Sequence, residues 1–153
     1  MLLSPGKLIP IEWSALKRSR RPNTYLVAPP GLTPIHADMA APDFDLDIKA
    51  LKYLWDRMVS RQVRVEKKAT SPDGLQIDYV QRTALMRFPD WVTVRFISKD
   101  TATSTLAIYS RSVYGHGDLG KNKARVESWL TSLKKEFYTN QPAHRTNFRA
   151  PSM

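Results

Sequence analysis

The apolar residues between positions 44 and 139 change period twice, and that change constrains the fold more than any other feature. Ile48, Leu51, Leu54, Trp55 and Met58 recur at helical spacing. From Val63 onward the repeat shortens to two, through four strand-like runs. At Val126, Trp129, Leu130, Leu133 and Phe137 the helical spacing returns. A helix, four strands joined by short turns and a second helix imply an antiparallel meander with both helices on one face. The expected fold is α+β, a four-stranded antiparallel sheet covered by two helices, with a proline-rich N-terminal arm.

The boundaries come from local chemistry. Asp45 or Asp43 can cap a helix over 46–59, with Asp47 adding charge to its first turn. Strands are expected over 63–69, 75–87, 91–98 and 104–113. Leu85 and Met86 fall inside the second of these. Ser71-Pro72-Asp73-Gly74 is a turn signature. Asn122 or Asp118 is expected to cap the last helix.

Seven of the eleven prolines precede residue 43. Each fixes φ and removes a backbone donor, which argues against a long helix or a central strand there. Yet Leu8, Ile9, Ile11, Trp13, Leu16, Tyr25, Leu26 and Val27 are too apolar for a solvated linker. Residues 1–43 are therefore expected as a basic arm packing on the domain, with 24–27 as an edge strand. Residues 44–139 are expected to form the α+β core, and 140–153 a flexible tail.

Lys and Arg exceed Asp and Glu by ten. The excess gathers in one strand, the last helix, the tail and the start of the arm, where residues 1–22 set Lys7, Lys17, Arg18, Arg20 and Arg21 against a single acid, Glu12. Such a balance favours phosphates, anionic lipid headgroups or an acidic partner surface. The absence of cysteine excludes a disulfide framework, a thiolate zinc site and a cysteine nucleophile. No run of about 18 apolar residues occurs, so no bilayer-spanning helix is expected. Met1-Leu2-Leu3 is too short for the apolar core of a signal peptide.

Several segments carry a family resemblance. They are Asp78-Tyr79-Val80-Gln81-Arg82-Thr83, Arg87-Phe88-Pro89-Asp90, Ser104-Thr105-Leu106-Ala107-Ile108-Tyr109-Ser110-Arg111 and Tyr114-Gly115-His116-Gly117-Asp118-Leu119-Gly120-Lys121-Asn122, with Arg125-Val126 beyond. Upstream, Arg21-Pro22-Asn23 and Tyr25-Leu26-Val27-Ala28-Pro29 fit the same pattern. Over residues 21–133 the chain resembles an uncharacterised bacterial and plastid family, the domain of unknown function numbered fourteen ninety-nine. Its most specific part is the Asp-Leu-Gly-x-Asn segment before the last helix. The resemblance implies a periplasmic or membrane-associated setting and brings no established activity.

Asp118-Leu119-Gly120-Lys121-Asn122 leads from the last strand into the last helix. Unpaired N–H groups at a helix start suit an anion, and Lys121 and Lys123 are close. The plainer reading, which we favour, is a rigid turn in which Asp118 itself caps those amides. The glycines match neither dinucleotide nor P-loop spacing. Arg111 is expected to pair with Asp118. Asp78, Arg82, Asp90 and Arg95 are expected either as one polar cluster on a sheet face or as separate rim salt bridges. Ligand-binding candidates are Arg111, Tyr114, His116, Asp118, Asn122 and Arg82. Surface-binding candidates are Lys17, Arg18, Arg20 and Arg21. No paired metal-ligand spacing and no Gly-x-Ser-x-Gly occurs, so neither metal nor cofactor is expected and no catalytic residue is assigned.

The expected function is that of a non-catalytic binding or accessory domain of the bacterial envelope or of a larger membrane assembly. Its arm would contact anionic lipid or an acidic protein surface. A nucleic-acid-binding module ranks second and needs Trp13 and Trp91 free for stacking. An enzyme built on Arg111, His116 and Asp118 is the other alternative. A small apolar ligand between sheet and helices also fits the amphipathic layers.

Overall fold

Asp47 decides where the first helix begins. Its carboxylate accepts from the Ala50 amide at 2.8 Å, the N-cap geometry that satisfies an otherwise orphaned donor. In the computed structural model, which describes residues 1–140, helix α1 therefore spans Ile48–Ser60. Neither expected cap serves: Asp43 instead pairs with Lys99 at 2.8 Å. Helix α2 spans Lys121–Thr139. The expected tail lies outside the described residues, apart from Asn140, whose amide caps α2 on the Glu136 carbonyl.

The strands are β1 (Thr24–Ala28), β2 (Met39–Ala40), β3 (Val65–Thr70), β4 (Gln76–Arg82), β5 (Pro89–Ser98) and β6 (Ser104–Ser112). They form one six-stranded sheet in the order β2-β1-β6-β5-β4-β3. The α+β class and the two helices stand, but the four-stranded antiparallel sheet is corrected to a six-stranded mixed one. The expected edge strand at 24–27 is internal: β1 pairs antiparallel with β6 and parallel with β2. Asp38 makes this pairing, its carboxylate accepting from the Leu26 amide and its own amide donating to the Leu26 carbonyl, both at 2.8 Å. Prolines at 29 and 30 sit just beyond the strand, so they remove no ladder hydrogen bond from it.

Alternation sorts the sheet into two faces. Val27, Ile77, Tyr79, Val92, Val94, Phe96, Leu106 and Ile108 meet the stripes of α1 and α2. Trp55 and Trp129 fill this layer, with Trp55 edge-on to Phe96 and Trp129 edge-on to both Trp55 and Tyr79. The space considered for an apolar ligand is thus occupied by fully buried aromatic side chains. The Tyr79 hydroxyl accepts from the Trp55 indole at 3.0 Å, and burial raises its pKa above the ordinary tyrosine value.

The opposite face holds Leu26, Ala28, Ala107 and Tyr109, covered by Trp13, Ile11, Leu16, Leu32 and Ile35 from the proline-rich segment. Trp13, in a single 3-10 turn (Trp13–Ala15), donates its indole N–H to Gln76 at 2.9 Å. The Gln76 amide in turn donates to the Ile11 carbonyl at 3.1 Å. This segment therefore shields the second sheet face and also supplies β1 and β2.

Candidate functional site

Strand register brings Gln81, Asp90 and Ser112 side by side, with Ser110 one pleat further along β6. The first turns of α2 lie over them. Asn122, fully buried, is the hub. Its side-chain nitrogen donates to the Asn23 carbonyl and Ser112 hydroxyl, each at 2.9 Å, and to the Asp118 carboxylate at 2.6 Å. Its side-chain oxygen accepts from Ser110 at 2.6 Å and from Arg125 at 2.8 Å. Arg125 also donates to Gln81 at 2.6 Å, to Ser110 at 3.1 Å and to the buried Asp90 carboxylate. Every buried side-chain nitrogen and oxygen among the described residues has a partner.

The glycine-containing turn sets the pose of α2. Gly120, the residue before the helix, has φ +77°, a left-handed conformation that an L side chain disfavours. The Asp118 carboxylate accepts from the Gly120 amide at 2.9 Å and the Asn122 amide at 3.1 Å. Asp118 is thus the cap and Asn122 is not. With the Lys121 amide donating to the Asp118 carbonyl at 3.0 Å, three amides of this helix start are engaged by Asp118 rather than left to an anion. Beside this turn, Thr83, Phe88, Asp90, Tyr114, Asp118 and Lys121 line a cavity of about 160 Å³.

Arg111 does not pair with Asp118. The two are held apart by the pleat: Arg111 lies on the arm side of β6, whereas Ser110 and Ser112 point to α2. Arg111 is half-buried, donating to the Thr93 hydroxyl at 2.9 Å and to the Tyr109 carbonyl at 3.1 Å, with its guanidinium 5.2 Å from the Tyr109 ring centroid. The Thr93 hydroxyl donates in turn to Asp78. Burial pulls the Arg111 guanidinium down to about 10, against the opposing pull of Asp78 and Tyr109. It stays protonated at neutral pH.

Of the two readings of Asp78, Arg82, Asp90 and Arg95, the single cluster fails, because the four are dispersed. Asp78 faces the arm and Asp90 faces α2. Arg95 makes a two-point pair with Asp73 across the 71–76 turn. Arg82 donates to the Leu3 and Arg87 carbonyls at 2.8 and 3.1 Å. Tyr114 donates to the Ser4 carbonyl at 2.7 Å, and His116 is exposed on the same loop. Lys17, Arg18, Arg20 and Arg21 are all exposed; Arg18 donates to the His36 carbonyl and Arg21 to that of Gly115. Trp13 and Trp91, which the nucleic-acid alternative needs free, are both buried, the Trp91 indole donating to the Pro5 carbonyl at 2.9 Å.

Sequence reasoning missed Arg125, Gln81 and the pairing with Asp90. A signal existed: Asn122 and Arg125 continue the buried stripe of Val126, Trp129 and Leu133 toward the helix start, where polar residues on a core-facing line need internal partners.

The sheet, the helix pair and the Asp118–Asn122 turn define an α+β domain whose last helix is locked by a polar hub. The chain belongs to the family described as Protein of unknown function (DUF1499), which matches residues 19–133 and so spans every member of that hub. No curated protein matches the chain. Among the described residues, no helix is long and apolar enough to cross a membrane.

Proposed function

We propose that this chain is a non-catalytic binding domain that docks on an anionic surface, as an accessory component of the bacterial envelope or of a larger membrane assembly. Lipid headgroups are the preferred partner and an acidic protein face is the alternative. One observation carries the reading. Lys17, Arg18, Arg20 and Arg21 are held outward on an arm anchored by Trp13, and among the described residues none of them is ion-paired. Charges fixed on a docked scaffold lose less freedom on binding than charges on a loose tail.

The interior argues in the same direction. Ser110 is bonded to Asn122 and Arg125, neither of which accepts a proton as a general base. Asp118 is committed to helix amides. Stacking of single-stranded nucleic acid loses its two candidate platforms with the burial of Trp13 and Trp91.

The test is co-sedimentation with phosphatidylglycerol vesicles and with neutral phosphatidylcholine vesicles. Binding to the anionic vesicles alone, weakened by raising salt from about 50 to 500 mM, is expected. A chain in which all four arm cations are replaced by Gln should lose most of it. Equal behaviour on both vesicle types contradicts the lipid reading.

A further inference from the structure

The C-terminal ends of β4 and β6 and the N-terminal ends of β1, β3 and β5 lie at one end of the sheet. Three adjoining depressions open there. The cavity of about 160 Å³ shares Thr83 and Lys121 with a groove of about 460 Å³, which shares Arg64 and Arg82 with another of about 400 Å³. They form one continuous surface.

Three features set this end apart. Its rims carry large aliphatic side chains in full view of solvent: Leu85 is 89%, Met86 60% and Leu119 99% exposed. Leu2, 60% exposed, lines the third depression. Between these tips stand Arg64, Arg82, Arg87 and Lys121, none of them ion-paired among the described residues. Of the acids that line these depressions, Asp90 and Asp118 are taken up inside, and Glu66, exposed at the third, is paired with Lys68 at 3.0 Å. Finally, Arg64, Arg87 and Leu119, with φ +57°, +57° and +52°, are the three non-glycine residues of the described chain in the left-handed region. Such conformations disfavour L side chains and cluster where function requires them.

The geometry points to this end as a membrane-docking surface, in which Leu85, Met86 and Leu119 enter the headgroup–acyl boundary of an anionic bilayer while the surrounding Arg and Lys reach its phosphates. The mixture of side chains selects the occupant. Separate aliphatic tips interleaved with long cationic side chains suit an interface where apolar groups go down and charged heads stay wet. Arg21 adds to the same rim, since its guanidinium reaches the Gly115 carbonyl on the adjoining loop. The inference rests on the binding-domain reading but, Arg21 apart, on different residues.

The test places a reporter at the tip. Leu85→Trp, in the full chain, is mixed with phosphatidylglycerol vesicles whose acyl chains are brominated. Its added emission should shift to the blue and be quenched. Ala102→Trp, in the exposed turn at the far end of the sheet, should show neither effect. The triple variant Leu85→Ser, Met86→Ser, Leu119→Ser should bind such vesicles about tenfold or more weakly, at high salt as well as low. Vesicle binding that persists with Leu85→Trp unquenched overturns this inference alone. No vesicle binding by the native chain overturns the lipid reading as a whole. Self-association of the native chain without vesicles, abolished by the triple variant, assigns the surface to a second copy and also overturns the inference.

Discussion

The Arg125 guanidinium donates to the Asp90 carboxylate with the two side chains only 7% and 3% exposed, joining α2 to the start of β5. A buried pair of this kind matters less for its own strength than for the charge left stranded when one partner is removed. Arg125→Leu leaves Asp90 uncompensated and strips a donor from Gln81, Ser110 and Asn122. A loss of about 3–5 kcal/mol is expected in urea unfolding. In a double-mutant cycle with Asp90→Leu, the combined loss should fall short of the two single losses added together by more than about 1 kcal/mol. Additive losses contradict the pairing.

Asn122 and Asp118 make different contributions to the same turn. Asn122→Ala strips partners from Ser110 and Ser112 on β6, from Arg125 on α2 and from the Asn23 carbonyl just before β1, and should cost about 2–4 kcal/mol. Asp118→Ala removes a half-buried cap and should cost about 1 kcal/mol. Thermal and urea unfolding of the two variants check the order.

Trp13 fastens the proline-rich segment to the sheet. Trp13→Ala should release the stretch before β1, so that trypsin cuts after Lys17, Arg18 and Arg20 much faster than in the native chain. It also uncovers Leu26, Ala107 and Tyr109, at a cost of about 3–5 kcal/mol. Unchanged proteolysis contradicts the anchoring role.

Asp73 carries a pH dependence. The Arg95 guanidinium, the Ser71 hydroxyl and the Leu75 amide hold its carboxyl well below the ordinary range. A carboxyl depressed in the folded state adds stability that is fully present above its unfolded value near 4. That contribution disappears as pH falls from about 4 toward the lower folded value. Melting temperature should therefore fall less steeply between about pH 4 and 2 in Asp73→Asn than in the native chain.

The long periodic segments are legible in the sequence because one side of each is buried. The stripes of α1 and α2 and the alternation of β5 and β6 come from that alone. Asp47 is the cap rather than a first-turn charge, and β1 is internal because ten residues of proline-rich chain return to lay β2, two residues long, beside it. No periodicity resolves a strand that short. The expected 75–87 strand overruns β4 for a different reason. Thr83 closes a loop by accepting from the Arg87 amide and, through its hydroxyl, from the Phe88 amide, at 3.2 and 3.0 Å. That places Leu85 and Met86 outside the sheet. Of the candidate site, Asp118, Asn122 and Gly120 are legible from turn chemistry. The Asp90–Arg125 pair joins residues 35 apart and depends on register, which one residue of slip would reverse.

The central claim is that the chain docks through charges its fold leaves unpaired. The most direct measurement is partition onto vesicles as the phosphatidylglycerol fraction is raised at fixed low ionic strength. The account predicts negligible binding at zero fraction and a steep rise with anionic content, lost when the four arm cations are neutralised. Binding that is flat across the series, or indifferent to those cations, contradicts it.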